Sequence, residues 1–270
     1  MEPIIRWAGS KRQLIGKLGA FWRDPNARYI EPFCGSACLF FNLEPTRAIL
    51  GDLNSELIST YRALKIDAGL VCECLRRLPT GEEEYYRIRS NKPNHLSLPE
   101  IAARFLYLNR NCFNGIYRTN QKGDFNVPYG PPRSNAGFNF ERIIAAASLL
   151  QNVELLSSDF AATLDKVERG DFVYLDPPYA VARRRIFTAY HPKTFNTDDL
   201  ARLSAKLTEI HNKGATFVVS YADSREARIL LEKWRPKRVR TRRHVAGFSG
   251  SRRSAYELMA SNMEDFTHAN

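Results

Sequence analysis

Asp176-Pro177-Pro178-Tyr179 closes the apolar run Phe172-Val173-Tyr174-Leu175. Neither proline can donate a backbone hydrogen bond, and both rings stiffen the chain. The turn therefore offers carbonyl oxygens and one carboxylate as preset acceptors, with an aromatic plane beside them. Acceptors next to a plane suit a planar heterocycle bearing an amino group; the same tetrapeptide serves equally as a strand-ending Pro-Pro turn. Glu31-Pro32-Phe33-Cys34-Gly35-Ser36-Ala37 follows a second apolar run, and its small residues let a ligand approach the backbone closely. It lacks the spaced glycines of a dinucleotide fingerprint and is not a P-loop, so by itself it reads as a tight strand–helix turn. Asp52 ends the next run about twenty residues on, a spacing that suits an acid holding ribose hydroxyls.

Basic residues add a second kind of chemistry. The chain carries 40 Lys+Arg against 29 Asp+Glu, a net +11, which favours a polyanionic partner. Arg235 to Arg253 contains eight Lys/Arg, Arg242 and Arg243 among them, and no acid. Arg183-Arg184-Arg185 follows the Asp-Pro-Pro-Tyr turn. A charge run is usually a solvated face, but placement beside a candidate site favours a phosphate backbone. Asn109-Arg110-Asn111-Cys112-Phe113-Asn114-Gly115-Ile116-Tyr117-Arg118 interleaves aromatics, amides and arginines, a mixture able to intercalate and read base edges. A buried helix end followed by a polar turn would look the same.

The elements that must position these residues are legible from apolar patterning. With 270 residues, 44% hydrophobic and 26% charged, the chain can bury a large core. Short runs at Ala27–Ile30, Arg47–Leu50, Val153–Leu156, Phe172–Leu175 and Ala215–Val219 predict parallel strands buried on both faces. Helical spacing at Cys38–Leu43, Lys11–Trp22, Asp198–His211 and Ser224–Trp234 completes a doubly wound α/β sheet. Ligands of such sheets sit beyond the carboxyl ends of the strands, where Glu31, Asp52, Asp159 and Asp176 fall. The middle reads as helical, over Glu56–Lys65, Leu70–Leu78, Glu82–Ser90 and Pro99–Asn109. A Gly/Asn-rich stretch follows, with a possible hairpin about Lys122-Gly123. The expected layout is a discontinuous catalytic domain, 1–56 and 144–270, with an inserted lobe at 57–143. Cys34, Cys38, Cys72, Cys74 and Cys112 form no CxxC pair, so neither a disulfide framework nor a zinc site is expected. No apolar run approaches the roughly 20 residues that span a bilayer, and Arg6, Lys11, Arg12 and Lys17 interrupt any signal-peptide core. A soluble, cytoplasmic monomer is expected.

Together these pieces resemble the Dam-type (D12 class) N6-adenine DNA methyltransferases, through nearly the whole chain. The resemblance is carried by Arg6-Trp7-Ala8-Gly9-Ser10-Lys11, Glu31-Pro32-Phe33-Cys34-Gly35-Ser36 and Gly51-Asp52-Leu53-Asn54. It continues in Phe105–Arg110, in Gly123-Asp124-Phe125-Asn126-Val127-Pro128-Tyr129-Gly130 and in Tyr174–Tyr179. It implies a Rossmann-like fold with an inserted target-recognition lobe, S-adenosylmethionine as cofactor, double-stranded DNA as partner and no metal. The implied cofactor set is Trp7, Ala8, Gly9 and Lys11, then Glu31, Pro32, Phe33, Gly35, Ser36 and Ala37, with Asp52 on the ribose beside Leu53. Asp159 and Phe160 are implied on the adenine side, and Asp176 to Tyr179 form the catalytic turn. Arg6, Arg110, Phe113, Asn114, Ile116, Arg118, Asn126 and Pro128 are implied at DNA, Arg118 reading a guanine and Phe113 wedging beside the vacated base. A GATC-like site is compatible with these residues. Two positions depart from the family pattern: Ala37 replaces the second glycine of Phe-x-Gly-x-Gly, and Arg6 stands where lysine is common.

The implied reaction is methyl transfer to adenine N6. Cytosine N4 poses the same chemical problem, and a catalytically silent DNA-binding protein of the same fold is a further alternative; Asp at the head of the tetrapeptide favours adenine. If the run containing Arg242 and Arg243 grips phosphates, neutralising both flattens the salt dependence of DNA affinity, by roughly one log–log unit per lost contact. Binding isotherms over a salt series check this; an unchanged slope marks the run as a solvated face.

Overall fold

The computed structural model describes residues 1–120, 122–131, 137–178, 195–242 and 254–263. Its strands are β1 (Tyr29–Glu31), β2 (Ala48–Asp52), β3 (Val153–Ser157), β4 (Phe172–Leu175), β5 (Thr216–Ala222), β6 (Lys237–Arg242) and β7 (Ser254–Ser261). They form one sheet in the order β3-β2-β1-β4-β5-β7-β6. β1 to β5 run parallel, with Tyr29 opposite both Ala48 and Phe172, and β7 is antiparallel to β5 and β6. Every residue of β1 and β4 is buried, as a parallel strand covered on both faces requires. Strand order reverses between β1 and β4, and the crevice beyond their carboxyl ends is the topological switch point. This is the Rossmann-like α/β sheet that the apolar runs predict.

The helices are α1 (Ile15–Gly19), α2 (Cys38–Leu43), α3 (Ser55–Arg76), α4 (Glu82–Ser90), α5 (Leu98–Asn111), α6 (Phe140–Leu149), α7 (Phe160–Asp165), α8 (Thr197–Asn212) and α9 (Arg225–Leu231). Helices α7, α8 and α9 cover one sheet face through a core that includes Val173, Leu203, Phe217 and Leu231. The other face shares a single core with α2, α3, α5 and α6, from Tyr29 and Phe40 through Tyr61 to Phe105. On the first face, Gly51 near the carboxyl end of β2 lets α7 approach closely, since a Cβ there would clash with the Thr163 side chain.

Residues 53–152 connect β2 to β3, which are neighbours in the sheet. The two helices expected between Glu56 and Leu78 are present as the two halves of α3, which meet at a kink at Asp67, whose φ of −154° and ψ of 88° are non-helical. Its carboxylate accepts from Leu70 N at 2.8 Å, capping the second half. The hairpin expected about Lys122-Gly123 is a looser turn: isolated antiparallel bridges join Cys112 to Tyr129 and Thr119 to Phe125 without extended strands. The Asn120 side chain fills the turn instead, accepting from Lys122 N and Asp124 N. The helix expected over Lys11–Trp22 is shorter, a 3-10 turn at Arg12–Leu14 leading into α1.

The structure describes the basic run in part. Its first half is the edge strand β6, with Thr241 buried and Val239 packed on the core. The charges on alternate positions suit an edge that must not pair further. Arg242 ends β6, while Arg243 to Arg253 and Arg183 to Arg185 lie outside the described residues.

Candidate active site

Asp176 leaves the end of β4 at the switch point. Lys11 Nζ stands 2.9 Å from its Oδ1, and Ser220 Oγ donates to the same oxygen at 3.4 Å. Tyr174 OH lies 3.1 Å from Ser220 Oγ, which continues the chain into the sheet. The pairing of Leu175 with Val219 sets β4 and β5 in the register that makes these contacts. Tyr221 OH donates to the Pro178 carbonyl at 3.2 Å, holding the second proline of the turn. Burial pushes the Asp176 carboxyl above the usual aspartate range, and the Lys11 ammonium and the Ser220 hydroxyl pull it back. Lys11, itself buried, also lies 3.5 Å from Glu257 Oε2 on β7. Tyr179 lies outside the described residues.

The loop after β1 is built around Gly35. Its φ is +46°, and a Cβ would stand 2.6 Å from Trp7 Cδ1, so the indole rests directly on the backbone. Gly35 N donates to Asp52 Oδ2 at 3.0 Å, Asn54 N to Oδ1 at 2.9 Å, and Tyr61 OH to the Gly35 carbonyl at 2.9 Å. Burial raises the Asp52 pKa, and the backbone donors oppose that rise. Each Asp52 oxygen retains a lone pair for a further donor such as a sugar hydroxyl. Ala37, where the family pattern has glycine, sits at φ 49°. That left-handed backbone costs an L-residue roughly 1–2 kcal/mol, offset here by a fully buried methyl group. Ser36 is buried behind it, with its hydroxyl 3.5 Å from that of Ser10.

Phe33 stacks on Phe160 at 5.3 Å, and Phe195 meets Phe33 edge-on. Asp159 caps α7 through Ala161 N and pairs with Arg202, whose guanidinium lies over Phe160. Pro32 is buried, whereas Ala8, Gly9 and Leu53 are exposed. The carboxyl edge of β1 to β4 thus carries an aromatic wall, a glycine cradle and two acids. This donor set fits a nucleoside-bearing cofactor: Asp52 for a diol, Gly35 for close approach, Phe33 and Phe160 for a flat ring. Among the described residues, no group of His, Cys, Asp and Glu is placed to hold a metal ion, and no helix is long and apolar enough to cross a membrane.

A second set of residues surrounds the end of α5. Asn109 clasps the backbone of Arg6, accepting from its N–H and donating to its carbonyl, both at 2.8 Å. The Arg6 side chain packs on Gly115, where a Cβ would stand 2.6 Å from its Cδ. Trp7 stacks on Tyr117 at 5.5 Å. Phe113 is 46% exposed, Asn114 has a left-handed φ of 55°, and Arg118 Nε donates to Asn126 Oδ1 at 2.9 Å. Pro128 accepts from Phe113 N and is exposed, and Ile116 is half-buried beside them. Arg110 lies over the Phe138 ring, its pKa lowered by burial and by the neighbouring Arg6 charge. Arg6, Arg12, Arg110 and Arg142 line one polar cavity of about 420 Å³.

Sequence reasoning missed Ser220, Glu257, Tyr61 and Tyr117 as parts of this centre. Ser220 could have been found as the terminus of the β5 run. Glu257 carries no local signal; only the pairing of β7 with β5 brings it to Lys11.

Residues 7–245 match the model of the D12 class N6 adenine-specific DNA methyltransferases. The chain belongs to that family, and is accordingly an adenine-specific DNA methyltransferase. It is 32% identical to the Type II methyltransferase M1.LlaDCHI of Lactococcus lactis subsp. cremoris, over 97% of this chain and 95% of that protein. With M.MjaIII, a Type II methyltransferase of Methanocaldococcus jannaschii, it shares 33% identity over 82% of this chain and 84% of the relative. The DNA adenine methylase of Escherichia coli K12 is 30% identical over 96% of this chain and 94% of its own length. The family assignment favours adenine over the cytosine alternative, and an enzyme over a silent binding protein.

Glu31 gives this centre a measurable pH signature. Its carboxyl is fully buried and raised well above 4.5, chiefly by desolvation, although Tyr29 OH donates to it at 2.8 Å. A raised carboxyl stabilises the fold in its protonated form, and that contribution is lost as pH rises through the folded value. Glu31→Gln, neutral at every pH, should therefore match the wild type in acid and exceed it at pH 8 by roughly 1–2 kcal/mol. Denaturant midpoints measured across pH check this; a constant difference would show that ionisation of Glu31 is not the cause.

Proposed function

We propose that the protein transfers a methyl group from S-adenosylmethionine to N6 of an adenine flipped out of a specific double-stranded DNA site. The observation that carries this reading is the Asp176 carboxylate, anchored at the switch point by Lys11 and Ser220. An adenine amine is a poor nucleophile because its lone pair is delocalised into the ring. Asp176 and the Pro177 carbonyl are the acceptors for its two N–H groups, which lets the nitrogen pyramidalise and aim its lone pair. This is positioning and stabilisation of developing positive charge. The cofactor, when bound, supplies an electrophilic methyl on a sulfonium sulfur. Asp52 holds its ribose, Phe33 and Phe160 enclose its base, and Trp7 with Gly35 closes the methionine side. As the N–C bond forms, the sulfur–methyl bond breaks and its electron pair stays on sulfur as a neutral thioether; the amine then carries one surplus proton, and Asp176 is the carboxylate that takes it. Tyr179 stacks on the flipped base. Residues 57–143, as the target-recognition lobe, present Phe113 to fill the gap in the helix and Arg118 to read a guanine of a GATC-like site.

Asp176→Ala should lower methyl transfer by about 10²–10³-fold with the fold intact, as measured by labelled-methyl incorporation and circular dichroism. Near-normal turnover sinks the assignment of the catalytic turn. For Arg118→Ala, loss of the bidentate contact to guanine O6 and N7 should cost about 1–3 kcal/mol of discrimination at one G·C pair. Transfer rates on duplexes altered at single base pairs test it. An equal loss on every duplex makes Arg118 a phosphate clamp instead.

A further inference from the structure

The Lys11 ammonium, from the N-terminal segment, is shared between two carboxylates of the C-terminal half of the chain. Asp176 Oδ1 stands 2.9 Å from Nζ and Glu257 Oε2 stands 3.5 Å from it, with both the Lys11 and Glu257 side chains buried. Nothing in the mechanism above uses Glu257, and burying a second carboxylate here carries a desolvation cost. Topology makes its placement deliberate: β7 enters between β5 and β6, opposing Glu257 to Ala222, the last residue of the strand that carries Ser220. Glu257 is therefore held on the sheet rather than on a loop.

We infer that Glu257 is a positioning residue for methyl transfer, drawing part of the Lys11 ammonium away from Asp176 so that the catalytic carboxylate keeps its basicity towards the reacting amine. The inference rests on the proposed role of Asp176. A lone Lys11–Asp176 pair would be internally neutralised, and its field at the amine would fall off as a dipole. Competition from Glu257 leaves more of the negative charge on Asp176, where positive charge develops on nitrogen. Both described partners of Asp176 take Oδ1, which leaves Oδ2 to accept from the amine.

The charged and titratable groups around Asp176 are Lys11 of the N-terminal segment, Glu257 of β7, Glu31 of β1, Cys38 of α2, and Tyr174 of β4. Burial raises the Glu31, Cys38 and Tyr174 values, so all three favour their neutral forms. Glu257 is thus the group whose neutralisation should act on the pair. Removing its negative charge lets Lys11 hold Asp176 more tightly, and the carboxylate titrates at lower pH.

The test compares Glu257→Gln with wild type in two measurements. In ligand-free protein, the ¹³C carboxyl titration of Asp176 should move to lower pH. In turnover, kcat should fall about tenfold with little change in KM for DNA, and the acidic limb of the pH profile should move down with the titration. A merely structural Glu257 would lower activity without moving either curve, and that result overturns the inference. Glu257→Asp keeps the charge at greater reach and should shift the titration less, in the same direction. If the glutamine variant does not fold, an unmoved Asp176 titration in Glu257→Asp overturns the inference as well. Should Asp176→Ala retain turnover, the proposed function of Asp176 fails on its own, whatever the ligand-free titrations show.

Discussion

A buried ammonium needs a carboxylate within reach, and the carboxylate of a strand-ending turn needs a counter-charge to remain ionised out of water. The Lys11–Asp176 pair meets both needs at once, and much of the architecture follows from it. The N-terminal segment is drawn down over the carboxyl edge of the sheet, which sets the Trp7 indole on Gly35. With the indole in place, only glycine fits at position 35. The loop after β1 is then free to donate its backbone N–H to Asp52, so two acids at the ends of the strands that flank β1 are oriented by contacts that begin at one lysine.

Two faces of the sheet divide the work. Helices α7 to α9 close the lower face with an apolar core containing Phe160 and Val173. The upper face shares its core with α3 and α5, so the residues between β2 and β3 are part of the same packed body as the catalytic edge. Arg62 and Lys65 on α3 donate to the Leu155 and Val153 carbonyls of β3, fastening that helix to the sheet margin.

The legible parts of the molecule were those in which a local pattern and a tertiary constraint agree. Strands β1, β2 and β4 are almost wholly buried because both faces are covered, and Glu31, Asp52 and Asp176 stand at or just beyond their carboxyl ends, whereas the edge strand β3 leaves Glu154 exposed. Asp52, Gly35 and Asp176 were visible for the same reason. Strand β6 was hidden because its period-two pattern consists of Val239 and Thr241 among arginines, which reads as charge before it reads as strand. Glu257 was hidden because its role exists only once β7 is inserted between β5 and β6, a pairing with no trace in local sequence. The kink at Asp67 falls in the gap between two expected helices, and the Asp67 carboxylate that accepts from Leu70 N caps the start of the second.

The clasp between Asn109 and the Arg6 backbone has a mechanical meaning. From Arg6 to Lys11 is a tether of a few residues, with its first link fastened to the end of α5 and its last to the Asp176 carboxylate. Trp7 lies along that tether, between Tyr117 on one side and Gly35 on the other. The loop that carries Phe113 and Arg118 and the turn that carries Asp176 are consequently not independent bodies. A displacement of either one has a short path to the other through Arg6, Trp7 and Lys11.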